Sequence, residues 1–364
     1  MQTTPETQAI AQSLWLDSIS RALLDSGRLA DYIERLSIRG LTSNPAVFET
    51  ALQDTEAYAA DIRAQAAAGL SDSALLIELT LSDLRRAADL LRPIFEASGG
   101  VDGWVSIALS PMLAFDTEAS MIAARWLHAR AERPNLMVKL PGTEAGLRAV
   151  ERLSFEGVPV NTTLLFSREH YLAAAEAYMS GLERRQSAGL DLAVGAVASI
   201  FVSRWDLAAR SRLPARLHNH LGIAMAGRIY ASYRRLLSSA RWRALAAAGA
   251  QPQRLLWAST GSIDPAAAPT LYVRALRADH TVSSLPEPTL LAWSRECIDS
   301  DSRPPGAATA GMSVEADAAE ACLREIVAAG VEVGLLAAQL QLDGVAAFTR
   351  SWRALLRQVA AQRA

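Results

Sequence analysis

The stretch Asn135 to Gly142 reads "NLMVKLPG" and runs directly into "TEAGLRAVERL", Thr143 to Leu153. A short apolar run closed by Pro-Gly and followed by helical periodicity reads as a strand buried on both faces that leads into a helix. The same unit recurs along the chain. Further apolar runs are "LWLDS" (Leu14 to Ser18), "LSIRGLTSN" (Leu36 to Asn44), "GWVSIALS" (Gly103 to Ser110), "VPVNTTLLF" (Val158 to Phe166), "LAVGAVASIFV" (Leu192 to Val202), "RLLWAST" (Arg254 to Thr260) and "HTVSSLP" (His280 to Pro286). Their alternation with helical segments predicts a parallel sheet.

Eight strand-helix units are the count of a closed α/β barrel, a (β/α)8 TIM barrel, which takes about 250 residues and leaves roughly 110 for additional helices. The whole chain, 1–364, reads as a single barrel domain, with the barrel proper over about 12–298. The longest insert, Pro45 to Gly100, carries two helical patterns, and "DSDSRPPGAATAG" (Asp299 to Gly311) reads as a flexible connection. Beyond it, amphipathic helices at Ser313 to Ala329 and Val333 to Val359 are expected to pack back on the barrel rather than form a domain of their own.

A formal charge of −2 and a pI near 6.3 give no general attraction to nucleic acid or to an anionic membrane, so a small molecule is the expected partner. The N-terminal segment shows no basic stretch followed by an apolar core and cleavage site, and no apolar run reaches about 18 residues, which predicts a cytoplasmic location. Homo-oligomerisation is left open. Cys297 and Cys322 lack pairing or metal-type spacing, and the "HNH" triplet at His218 to His220 has no acidic or thiol companion at a ligand-like interval. No metal and no cofactor are therefore expected.

Lys139, in the middle of the opening stretch, is the sole lysine, and the other 35 of the 36 basic residues are arginine. Arginine supplies charge and hydrogen bonds at least as well, but it does not deprotonate in proteins, whereas a buried lysine can. What lysine adds is a neutral amine. On a central barrel strand desolvation lowers its pKa, and a free amine can attack a ketone to form a Schiff base that makes the neighbouring C–C bond breakable. In such barrels the reacting groups lie at the C-terminal strand ends, where Asp17, Asn44, Lys139, Asn161, Thr163 and Ser199 all fall.

Several motifs, "LWLDSISR", "GLTSNPAVF", "NLMVKLPGTEAGLRAV", "VNTTLLFSREHY", "VASIFVSRWD", "LLWASTG" and "LPEPTL", occur in an order that resembles the transaldolases, specifically their longer bacterial type, over nearly the whole length. These are class I, metal-free aldolases that move a dihydroxyacetone unit between sugar phosphates. The resemblance implies that Lys139 is the Schiff-base nucleophile and that Asp17 handles a substrate hydroxyl proton. Asn44 and Asn161 would hold substrate hydroxyls, and Thr163 would help bind a proton-relaying water. Ser199, Phe201 and Ser259 would line the substrate pocket, and Arg204 would anchor phosphate through its guanidinium fork.

Two departures stand out. The third strand reads "VSIALSP" where the family pattern has "VSIEVSP", so Ala108 replaces a glutamate that works with the relay water. After the seventh strand, "STGSIDP" has Ile263 where "STGTKDP" is usual. These imply imine chemistry with altered proton handling and a changed phosphate end. The competing readings are a specialised biosynthetic relative with a non-standard acceptor or another imine-dependent bond formation, and a catalytically degenerate binding protein. Retention of Lys139, Asp17, Asn44, Asn161 and Arg204 argues against the last.

Overall fold

A computed structural model describes residues 11–53, 55–299 and 316–363. Eight parallel strands close on themselves: β1 (Ser13–Leu16), β2 (Ile38–Thr42), β3 (Trp104–Ala108), β4 (Leu136–Pro141), β5 (Val160–Leu165), β6 (Ala196–Phe201), β7 (Arg254–Ala258) and β8 (Thr281–Leu285). Consecutive strands pair, and β1 pairs with β8, so the sheet has no edge. Seven strands lie wholly inside the apolar runs read from the sequence; β1 begins one residue before its run. The (β/α)8 expectation is thus realised; of the flexible connection expected over Asp299 to Gly311, Asp299 ends helix Glu287–Asp299 and 300–311 lie outside the described residues.

Inward-facing residues change character as the barrel is climbed, because alternate residues of a strand share a face. Near the N-terminal end, Trp15 and Trp104 lie in one apolar cluster with Met137, Val197, Leu256 and Val282. Gly40 is required here: a Cβ on it would stand 2.5 Å from the Trp15 indole. Two residues further along their strands come Asp17, Ser106, Lys139, Ser199 and Ser284, and Thr42 follows Gly40 in the same way. The indoles fill the lower barrel, and the polar ring stands above them.

The lower rim is tied by a buried ion pair. Arg254 donates to Asp102 Oδ1 at 2.9 Å, to Ser13 Oγ at 2.7 Å and to the Thr281 carbonyl at 2.7 Å. Ser13 in turn donates to Asp102 Oδ2 at 2.7 Å, so the starts of β1, β7 and β8 and the residue before Gly103 share one network.

Between β2 and β3 the chain forms helices Pro45–Ala51, Thr55–Ala67 and Asp72–Ala97. Among the described residues three helices, Glu287–Asp299, Ala316–Ala328 and Val333–Arg363, follow the last strand. The final helix crosses the C-terminal side of β4 and β5, where Gln341 Nε2 donates to the carbonyls of Gly142 (3.0 Å) and Leu164 (3.1 Å). Leu164 has φ +57° where the β5–β6 register slips between Thr162 and Leu165, which frees its carbonyl for this contact, and Gly142 lies just past the end of β4. Close approach depends on Gly344, whose added Cβ would stand 2.7 Å from Leu164 Cδ2.

Candidate active site

Lys139 stands on β4 with Ala108 of β3 and Asn161 of β5 as its register partners, so the three side chains leave the sheet at one height. Its side chain is buried, and Nζ donates to the Ser43 carbonyl at 3.4 Å. Burial lowers its pKa from the usual lysine range, and the charge of Asp17 opposes that shift in part. No carboxylate lies within ion-pairing distance of it among the described residues, so nothing locks the amine in its protonated form.

Asp17, just past β1, is held from the side of β2. Thr42 Oγ1 donates to Asp17 Oδ1 at 2.9 Å, and Asn44 Nδ2 approaches the same oxygen at 3.4 Å. Ser284 Oγ lies 2.8 Å from Thr42 Oγ1. Since an ionised carboxylate only accepts, the Thr42 proton is committed to Asp17 and Ser284 must donate to Thr42. The Asn44 carbonyl oxygen accepts from the amides of Ala46 (3.0 Å) and Val47 (3.1 Å), capping helix Pro45–Ala51 and fixing the amide toward Asp17.

On the other side, Asn161 donates to Ser106 Oγ at 3.0 Å and accepts from Ser199 Oγ at 2.7 Å. This orients its carboxamide and leaves one N–H and one lone pair for further contacts. Thr163 Oγ1, one layer above, is buried without a protein partner, and a buried hydroxyl in that state calls for a water or a ligand. Phe201 packs against Phe166 at 5.5 Å and against Phe348 of the last helix at 6.5 Å, and the Arg204 guanidinium lies 5.5 Å from the Phe201 ring centroid. Ser259 holds φ +55° and shares a 2.8 Å hydroxyl contact with Ser203.

The fold therefore brings Asp17, Asn44, Lys139, Asn161, Thr163 and Ser199 to one end of the barrel. Thr42, Ser106, Ser284 and Gln341 were not anticipated; a hydroxyl inside an apolar run was the one available signal for the first three, and Gln341 on the last helix had none. The acids nearest Ala108 in sequence are engaged elsewhere. Asp102 is in the lower network, Asp116 caps the helix Thr117–Ala131 through the Ala119 amide at 3.0 Å, and Glu118 pairs with Arg152. Ile263 is 47% exposed and borders a cavity of about 140 Å³ with Ser203, Asp206, Leu207 and Arg210. Those four form one face of a helical turn, about 100° from Arg204. His218 Nε2 lies 3.0 Å from the Leu213 carbonyl, His220 precedes helix Leu221–Leu237, and no metal-holding group of three His, Cys, Asp or Glu side chains occurs among the described residues. No helix among them is long and apolar enough to cross a membrane.

Comparison with known proteins agrees with this arrangement. The family model for Transaldolase/Fructose-6-phosphate aldolase matches residues 14–359. The chain is 43% identical to a transaldolase of Thermobifida fusca (strain YX) over 360 residues, covering 96% of this chain and 95% of that protein. It is 41% identical to the transaldolase of Saccharopolyspora erythraea over 373 residues, covering 100% and 99% respectively. A transaldolase of Neisseria gonorrhoeae is 40% identical over 357 residues, covering 98% and 99%. With this coverage and the barrel in place, the chain belongs to the transaldolase family and is a transferase of the aldolase type.

Proposed function

We propose that this enzyme transfers a dihydroxyacetone unit between sugar phosphates through a Schiff base on Lys139. The observation that carries the reading is the buried Lys139 amine, with its lowered pKa, at the polar end of the barrel. The neutral amine adds to the C2 carbonyl of a ketose phosphate, and loss of water from the carbinolamine gives the imine. Asp17 takes the proton of the C4 hydroxyl as the C3–C4 bond breaks, the aldose departs, and the electron pair rests in the enamine. The enamine then attacks the carbonyl of an acceptor aldose, and hydrolysis frees Lys139. Asn44 and Asn161 hold substrate hydroxyls, Thr163 holds the water that exchanges protons with the imine nitrogen, and Ser199, Phe201 and Ser259 line the sugar's path. Arg204 grips the phosphate.

Incubation with fructose 6-phosphate, borohydride reduction and intact-mass measurement test this. A trapped adduct mapping to Lys139 and absent from Lys139→Arg is expected, with the N-terminal amine blocked as control. Undiminished trapping in Lys139→Arg would refute it.

Ala108 favours a second reading within the same chemistry. A methyl group beside Lys139 cannot move a proton, and loss of a general acid/base removes about 10²- to 10⁴-fold in rate. A specialised relative that uses a non-standard acceptor, or that carries out another imine-dependent bond formation, fits this site. Turnover faster on an alternative acceptor than on erythrose 4-phosphate would favour it.

A further inference from the structure

Helix Thr117–Ala131, which follows β3, buries Ser120, Met121, Ala124, Leu127 and Ala131 against the rest of the fold. Its outward face is apolar as well. Ala119, Ile122, Trp126 and Ala129 follow one another at steps of three, four and three residues, which lays them along one stripe. Phe115, just ahead of the Asp116 cap, continues the spacing by a further four. Phe115 is 64%, Ile122 65% and Trp126 47% exposed, so nothing among the described residues covers the stripe.

A surface helix ordinarily gives its outward face to polar and charged residues. Here the charges only flank the stripe. Glu118 and Arg125 run along one side, pairing with Arg152 and Glu156 of helix Glu144–Glu156, and Arg130 on the other side pairs with Glu78 of helix Asp72–Ala97. An apolar centre inside a polar rim is the anatomy of a protein–protein contact. With about 150 to 250 Å² to a large side chain, the open parts of Phe115, Ile122 and Trp126 come to roughly 350 Å², the size of patches that bind partners.

The order of large and small residues points to what covers it. A two-fold axis through Ile122 that runs the helix antiparallel to a copy sets Ile122 against the partner's Ile122. Phe115 and Ala129 are each seven residues from Ile122, so each meets the other across the axis. Trp126 is four residues from Ile122 and Ala119 three, so the indole and the partner's Ala119 stand within about 1.5 Å of one height. Each large side chain thus finds a small one where two large ones would compete for the same space. Glu118 and Arg125 lie four residues before and three after Ile122 on one flank, so the same axis brings each against its opposite charge in the partner, twice over.

We propose that this stripe is the interface of a two-fold homodimer in which helix Thr117–Ala131 packs antiparallel on its copy. Size, spacing and charge along the helix are all self-complementary about Ile122, as an isologous contact requires.

Sedimentation of the full chain at micromolar concentration should give twice the 39.0 kDa chain mass. Ile122→Glu sets two like charges together at the axis and should raise the dimer dissociation constant more than about a hundredfold, with the circular dichroism of the wild type kept. Ala119→Trp adds apolar surface yet puts two indoles in one place, so it should weaken the dimer at least about tenfold, whereas association by general stickiness would tighten. Ile122→Cys should let bismaleimidoethane join two chains, while the wild type, with Cys297 and Cys322 as its thiols, stays unlinked. A wild-type chain of single-chain mass, a dimer that survives Ile122→Glu, tightening by Ala119→Trp, or an Ile122→Cys dimer that fails to link would each overturn the proposal.

Discussion

Asp17 pulls Lys139 toward its ammonium form without forming an ion pair with it. The amine donates to the Ser43 carbonyl at 3.4 Å, while the carboxylate is occupied by Thr42 at 2.9 Å and Asn44 at 3.4 Å. Separation keeps both groups in the form that imine chemistry needs: a carboxylate ready to accept, and an amine whose pKa is set by burial more than by its neighbour.

Removing that charge should therefore move the pH dependence in a defined direction. In Asp17→Asn the influence that raises the Lys139 pKa is gone, so the acid limb of adduct formation should shift to lower pH. Cleavage, which needs the base, should slow by about 10²- to 10⁴-fold. Borohydride trapping across pH, with turnover measured in parallel, separates the two effects. A limb that shifts upward would contradict the assignment.

Burial of Lys139 also has a stability consequence. Its folded pKa lies below the unfolded value near 10.5, so the unfolded chain binds more protons between the two, and the contribution to stability is lost as pH falls through that window. Lys139→Met removes the titrating group while keeping most of the volume. Its melting temperature should exceed that of the wild type at pH 7, with the difference shrinking toward pH 10.

Ala108→Glu places a carboxyl one strand away from Lys139 at the same height. Ordinary transaldolase turnover should rise at least about tenfold, the lower range of what general acid/base catalysis supplies. Steady-state rates with fructose 6-phosphate and erythrose 4-phosphate decide it; a well-folded variant with unchanged turnover means the native reaction has another proton route.

The lower rim offers a contrast, because its charges are structural. Asp102→Ala would leave Arg254, with 5% of its side chain exposed, without its carboxylate. A loss of about 3 to 5 kcal/mol is expected from breaking such a pair. Denaturant midpoints should fall at unchanged slope, while trapping of Lys139 at low denaturant persists.

The sequence carried the barrel plainly because buried parallel strands are apolar throughout and each ends in polar punctuation. It also carried Lys139 and Asp17, which are costly to bury and stand at strand ends. Thr42, Ser106 and Ser284 were not legible, since a hydroxyl in a strand is compatible with strand propensity and with a functional contact alike. Amphipathicity gave the last helix an apolar face but could not say that Gln341 would meet the Gly142 and Leu164 carbonyls, because a helical stripe carries no record of its partner. Ile263 was read as part of the phosphate end because the family pattern usually has a lysine there, and a pattern carries no record of the cavity that Ile263 borders with Leu207 and Arg210.

The sole lysine has a consequence for the enzyme's own chemical durability. Aldoses released by such a reaction are aldehydes, and aldehydes condense with any accessible amine. A chain with 35 arginines and a single, buried lysine offers no other side-chain amine for that side reaction, so amine glycation has the N-terminus and Lys139 as its targets. Prolonged exposure to product aldehyde should then leave the internal peptides, apart from the one that carries Lys139, without amine adducts, and inactivation, where it occurs, should track a single covalent event on Lys139.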